Sequence, residues 1–229
     1  MEKLYATPIF GFALTIIAFY VGMLVFKIIR CSLANPLLIA TVLIITCLML
    51  GDIDYADYNQ GGQIISFFLG PATVALAVPL YKNRRHLQGR IGSVVGIVGL
   101  GAPLAMLISG GIARLLGATP EVVQSLSPKS VTTPIAMEIA AINGGIPELT
   151  GVFVVASGLL GAIAGPEILR LFGINSPLAQ GMAIGVATHG LGTARALQEG
   201  ELTGGISGLA MGLAGLLTAL VAPFIAPLF

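Results

Sequence analysis

Charge is what this chain has least of. Only 9% of its 229 residues are Asp, Glu, Lys or Arg, against about 25% in soluble globular domains. Hydrophobic residues make up 56% and the mean hydropathy is +0.98. Too few charges remain to coat a water-facing surface, so the sequence reads as a multi-pass integral membrane protein, with the lipid bilayer as its surroundings. A net charge of +1 leaves no electrostatic footprint for nucleic acid. Cysteine is equally sparse. Cys31 and Cys47 sit in or beside apolar segments at no metal-ligand spacing, which argues against a disulfide framework and against a metal site. Enzyme signatures are missing too: there is no H-E-x-x-H, G-x-S-x-G, P-loop or C-x-x-C. Ser127 and Lys129 are two apart rather than the three of an S-x-x-K pair. The expectation is a protein that is not an enzyme and has no cofactor.

What is present is a set of apolar runs. A bilayer demands about 20 apolar residues per crossing, and on that rule segments fall near 7–29, 34–50, 63–81, 91–116, 121–142, 148–171, 178–197 and 203–228. The fold class is all-α: a polytopic membrane helix bundle of about eight segments, one domain over 1–229. The first, fourth, sixth and eighth segments read as full spans. Those at 34–50, 121–142 and 178–197 are short or interrupted, so they are candidates for broken or re-entrant helices. The first run is too long for a signal-peptide core, and no small-x-small site precedes its charges. Lys27, Arg30, Lys82, Arg84, Arg85 and Arg90 flank the first and third loops and place them in the cytoplasm. Asp52, Asp54 and Asp57 read as a solvated outer loop.

Glycine is abundant, at 31 residues. Gly204, Gly208 and Gly212, like Gly92 with Gly96 and Gly161 with Gly165, form small-xxx-small faces that let helices approach closely. They serve either packing inside the bundle or a homo-oligomer face.

Polar residues inside the oily part concentrate in two places. The first is Ser127-Pro128-Lys129-Ser130-Val131-Thr132-Thr133-Pro134-Ile135-Ala136-Met137. A lysine at mid-membrane depth costs about 2.5–3.5 kcal/mol on insertion scales and normally faces a cavity. Pro128 and Pro134 each remove a backbone donor, so an unbroken helix is not expected. Broken membrane helices with polar groups at the break are how many transporters build a binding site. The second place is Val186 to Arg195, where Gly190 and Gly192 loosen a stretch holding Thr188, His189 and Thr193. Its backbone N–H groups can cradle a carboxylate, and Arg195 offers a bidentate fork.

Each residue also has a plainer reading. Lys129 and Glu138 can pair across the break; Arg195 can reach the surface to Glu199 and Glu201. His189 can be a packed histidine bonded to a carbonyl, although its titration range suits a proton-coupled step. A faint internal echo links Pro71–Ala77 with Val186–Thr193, and Asn35–Pro36 with the proline-bracketed stretch. Paired breaks in two halves point to a transporter site, and an inverted repeat needs an odd number of crossings per half.

The stretches Pro128–Ala136 and Ala187-Thr188-His189-Gly190-Leu191-Gly192-Thr193-Ala194-Arg195, with Asn35-Pro36-Leu37-Leu38, Pro71–Tyr81 and Gly144-Gly145-Ile146-Pro147, resemble the LrgB/CidB family over roughly residues 30 to 228. That resemblance implies two functions. Bacterial members are described as antiholin-like regulators of murein hydrolase activity and lysis that act with a smaller LrgA/CidA partner. Related members are associated with pyruvate uptake, and the plastidial glycolate/glycerate translocator fuses LrgA-like and LrgB-like halves. The expectation is a transporter or transport subunit for small monocarboxylates of the pyruvate, glycolate or glycerate type, working with an LrgA-like membrane partner. Lys129 and Arg195 supply charge in that reading; Ser130, Thr132, Thr133, Thr188 and Thr193 supply hydrogen bonds; His189 and Glu138 are the proton-coupling candidates. The alternative is the antiholin-like regulator.

Overall fold

A computed structural model describes residues 7–29, 36–68, 71, 74–75, 77–82, 85, 89 and 91–229. Arg30, Cys31, Asn35, Ala72–Thr73, Asn83–Arg84, His86 and Arg90, which carried some of the expectations above, lie outside the described residues. The chain divides into two compact units, Met1–Ala75 and Leu76–Phe229.

The first unit holds α1 (Pro8–Ile29), α2 (Pro36–Leu50) and α3 (Tyr55–Phe67). Helix α3 starts earlier and ends earlier than the 63–81 segment expected from hydropathy. The Asp54 carboxylate accepts from the Ala56 N–H at 2.9 Å and caps the helix, and Asp57 lies in the first turn, where the helix dipole favours an anion. Two members of the presumed acidic loop therefore start a helix instead. Gly11 of α1 and Gly61 of α3 face each other so closely that a Cβ on either would run into the other helix's backbone. The Thr15 and Tyr58 hydroxyls bond across this contact at 2.8 Å.

The second unit holds α4 (Ala77–Lys82), α5 (Ile91–Leu115), α6 (Pro120–Leu126), α7 (Thr133–Ile142), α8 (Pro147–Leu171), α9 (Pro177–Glu199) and α10 (Glu201–Ile225), followed by a 3-10 turn, Ala226–Leu228. Among the described residues, 4 helical stretches are long and apolar enough to cross a membrane: α1, α5, α8, and α10 with its turn. They are the first, fourth, sixth and eighth of the expected segments. The looser figure of eight drops because the interrupted segments fold differently.

Helix α9 reverses direction. Its backbone is non-helical at His189, with φ 42° and ψ −135°. Before that point Gly181 packs on Thr203 and Ile206, and Gly185 on Ser207 and Ala210, so this leg runs alongside α10 in the same sense. After it, Thr193 meets Ser207 and Leu197 meets Gly204, in the opposite sense. Ile184 Cγ2 would lie 2.9 Å from a Cβ on Gly192, a distance that a straight helix separates by about 12 Å. The segment is thus a helical hairpin with its tip at His189-Gly190.

Residues 120–142 do the same from the other end. The chain leaves Ser125, turns through 127–132, and returns along α7 until the Ile146 N–H donates to the Ser125 hydroxyl at 2.7 Å. A Cβ on Gly145 would sit 2.8 Å from the Ser125 nitrogen. Helices of 7 and 10 residues reach only about 10 and 15 Å, too little for a hydrocarbon core about 30 Å thick.

The spans fix the sense of both hairpins. Val94, Val98 and Ala102 of α5 pack on Ile206, Ala210 and Ala214 of α10, and at their other ends Arg114 donates to the Leu228 carbonyl at 2.7 Å, so α5 and α10 run parallel. Helix α8 begins beside Ser125 and ends at Arg170, which pairs with Glu199 just before α10 starts, so it runs the opposite way. A span followed by a hairpin therefore occurs twice, in opposite orientations: α5 with α6–α7, and α8 with α9. One crossing per half is odd, as an inverted relation requires. The stretch around Lys129 has its counterpart at 186–195; the expected echo at Asn35–Pro36 begins outside the described residues.

Candidate functional site

Helix α8 brings the two tips together. Ser157 and Gly158 sit at the middle of this 25-residue helix, roughly 18 Å from either end. The Ser157 hydroxyl donates to the Lys129 carbonyl at 3.1 Å. Its neighbour Gly158 leaves room for the His189 ring: a Cβ there would lie 2.7 Å from Cε1 and 2.9 Å from Nε2. The first tip is also seated by Val131 and Ala136, which pack on Val154, and by Ser109, whose hydroxyl reaches the Ser127 carbonyl at 3.2 Å.

Lys129 is half-buried. Its ammonium lies 3.4 Å from the Ser130 hydroxyl, and among the described residues no carboxylate stands within 4 Å of it. The Lys129–Glu138 bridge left open by the sequence is not formed, and Glu138 is exposed on α7. An open cleft of about 490 Å³ adjoins the tip, lined by one face of α5 from Gly101 to Ile112, by Lys129 and Ser130, and by Val186 and Ala187 of the second hairpin. Among the described residues, Lys129 is the only formally charged one on that lining. Thr132 is the N-cap of α7 without a side-chain cap bond, so the positive end of that half-helix lies in the same tip, and Thr132 and Thr133 are both half-buried there.

The remaining predicted site residues serve the second hairpin itself. His189 is 5% exposed and its Nε2 pairs with the Val154 carbonyl at 3.0 Å, as the plainer reading anticipated. Its positive φ is rare outside glycine and is held by this bond and by the packing on Gly158. Thr188 donates back to the Ile184 carbonyl at 2.7 Å. Thr193, 1% exposed, exchanges a 2.8 Å hydroxyl bond with Ser207. These two hydroxyls are occupied by the fold.

Arg195 stands elsewhere. It pairs with Glu199 at 2.7 Å and Glu167 at 3.7 Å, and Arg170 joins the same two carboxylates, Glu167 at 3.3 Å and Glu199 at 3.6 Å. Glu167 lies roughly 13 Å farther along α8 than Gly158. The expectation that Arg195 shares an anion with Lys129 is therefore corrected: two acids at the hairpin's base satisfy its guanidinium. Ser109 and Ser157 were not singled out in the sequence. Each is a lone hydroxyl inside a long apolar run, and only their partners in space show what they do.

A model of the LrgB-like family matches residues 15–228. Similar proteins include the uncharacterized protein YwbG of Bacillus subtilis strain 168, 38% identical over 191 residues covering 83% of this chain and 85% of that protein. YxaC of the same organism, also uncharacterized, is 38% identical over 216 residues, 94% of each chain. An uncharacterized protein of Haemophilus influenzae is 36% identical over 212 residues, 93% of this chain and 92% of that one. No solved structure matches.

Proposed function

This chain belongs to the LrgB-like family of membrane proteins, and from that premise we propose that it is a transporter, or the transport subunit of a pair with an LrgA-like protein, for small monocarboxylates of the pyruvate, glycolate or glycerate type. It performs no chemical step of its own. The observation that carries the reading is the meeting of two oppositely oriented hairpin tips at the middle of α8, with a lysine that no carboxylate reaches among the described residues beside an open cleft. Half-helix ends at mid-membrane depth are where transporters hold anionic groups. Lys129 supplies the charge and Ser130 a hydroxyl; the α7 N-terminus at Thr132–Thr133 adds oriented N–H groups. His189, at the tip of the second hairpin, links substrate occupancy to the position of that hairpin, and it and Glu138 remain the proton-coupling candidates.

Purified protein in liposomes tests this through uptake of labelled pyruvate and glycolate, with and without a pH gradient. Saturable uptake is expected, either alone or once the LrgA-like partner is added. Absence of uptake in both preparations would refute the proposal.

One observation favours a second reading, the antiholin-like regulator that acts through assembly. Among the described residues, Gly92 and Gly96 of α5 and Gly212 of α10 have nothing within 4 Å of an added Cβ, which leaves these small-residue faces room for another helix. That reading predicts that Gly96→Leu disturbs lysis control while Lys129→Ala does not.

A further inference from the structure

The cleft beside Lys129 is lopsided in its chemistry. At one end stand Lys129 and Ser130; the rest of the wall is largely hydrocarbon, including Leu104, Ile108 and Ile112 of α5 and Val186 of the second hairpin. Ser109 is the other hydroxyl on the lining, and its single proton is committed to the carbonyls of Ala105 at 2.7 Å and Ser127 at 3.2 Å. Arg195, the candidate for the second cation that a dianion would need, is tied at the base of the hairpin by Glu199 and Glu167. The cleft is also roomy: about 490 Å³ falls within the roughly 300–1,000 Å³ of pockets that hold drug-sized ligands, well beyond the needs of a three-carbon acid.

We propose that this cleft selects monocarboxylates carrying an apolar tail, such as 2-oxo acids with extended or branched alkyl chains, over hydroxylated acids and over dicarboxylates. The inference rests on the proposed transport role of the same site and narrows its substrate class to the pyruvate type, ranking the hydroxylated glycolate and glycerate below it. The carboxylate lies at Lys129 and Ser130, and the alkyl tail lies along Leu104, Ile108 and Val186. Each methylene moved out of water there improves apparent affinity about fourfold. A hydroxyl at the tail position gives up its water bonds without a free donor to replace them, which weakens binding roughly fivefold or more. A second carboxylate loses far more, because nothing in the cleft neutralises it.

The test is competition against labelled pyruvate uptake in proteoliposomes, with 2-oxobutyrate, 2-oxoisovalerate, glycerate and malonate as unlabelled competitors. Heats of binding of the same acids to the detergent-purified protein form a second arm that needs no transport. The expected order is 2-oxoisovalerate, 2-oxobutyrate, pyruvate, glycerate, malonate, with about sixteenfold between the first and third. Val186→Thr keeps the shape and adds a hydroxyl, and is expected to narrow the gap between glycerate and 2-oxobutyrate at least threefold. Saturable uptake in which glycerate or malonate competes as well as 2-oxoisovalerate would overturn this inference and leave the transport reading standing. If no acid binds or is taken up in either arm, the transport reading falls and takes this inference with it.

Discussion

Gly158→Ala is the substitution whose consequence can be worked furthest from the structure. The new Cβ would lie 2.7 Å from His189 Cε1, 2.9 Å from Nε2 and 3.1 Å from Leu191 Cδ1, closer than carbon atoms tolerate. The ring has little freedom to yield, because Nε2 is held by the Val154 carbonyl at 3.0 Å and the residue is buried. Overpacking a well-filled site costs about 1–3 kcal/mol, and leaving the buried His189 ring nitrogen without its partner costs about as much again; the Val154 carbonyl itself keeps the Ser157 hydroxyl at 3.1 Å. Together these give about 2–6 kcal/mol against the native position of the second tip. Detergent melting and uptake of labelled pyruvate read the two consequences: a destabilised protein and a transport rate lowered tenfold or more. Gly96→Ala is the control, since nothing stands within 4 Å of its Cβ; stability and transport there stay within about twofold, because Ala is at least as good a helix former as Gly. The clash also predicts coupling. In a His189→Ala background, which removes the ring, Gly158→Ala should cost much less than it does alone. Wild-type transport and melting in Gly158→Ala, or full additivity in the double variant, would refute the packing of the second tip against α8.

Three more outcomes follow from the same geometry. If the two interrupted segments are hairpins, cysteines placed at Thr119 and Asn143 in a background lacking Cys31 and Cys47 will react with an impermeant reagent from one side of the membrane. Cysteines at Gly173 and Gly200 will react from the other, and labelling of Thr119→Cys and Asn143→Cys from opposite sides would contradict the fold. Thr193→Val leaves the buried Ser207 hydroxyl without its partner and should lower stability by about 1–3 kcal/mol, most of it recovered in Thr193→Val/Ser207→Ala; equal loss in single and double variants would speak against the pair. Arg195→Ala removes one member of a partly exposed ion network, worth at most about 1 kcal/mol, so transport should stay within a few-fold of wild type and differ less as salt is raised. Abolished transport with stability intact would return Arg195 to the substrate site.

Both segments that build the site were legible in the sequence because proline, glycine and hydroxyl residues interrupt otherwise apolar runs. Lys129 stood out for the cost of its charge, and the Arg195–Glu199 pair for its spacing of four. The fold-back was not legible. Once a helix is broken, its phase no longer says which way the next piece runs, and the reversal at His189 is decided by Gly181 and Gly185 fitting against α10. Glu167, which completes the Arg195 network, is far away in sequence and lies on another helix. Helix α3 was misplaced because hydropathy ignores capping: Asp54 starts it in a stretch too polar to count as a span.

The most direct test of the account is the role of Lys129 itself. Labelled pyruvate uptake should be compared in liposomes carrying wild-type protein, Lys129→Ala and Lys129→Arg at matched incorporation and melting temperature. Loss of saturable uptake in Lys129→Ala, with partial retention in Lys129→Arg, is the predicted result. Uptake by Lys129→Ala at the wild-type rate and apparent affinity would contradict an anion site at the meeting of the two tips.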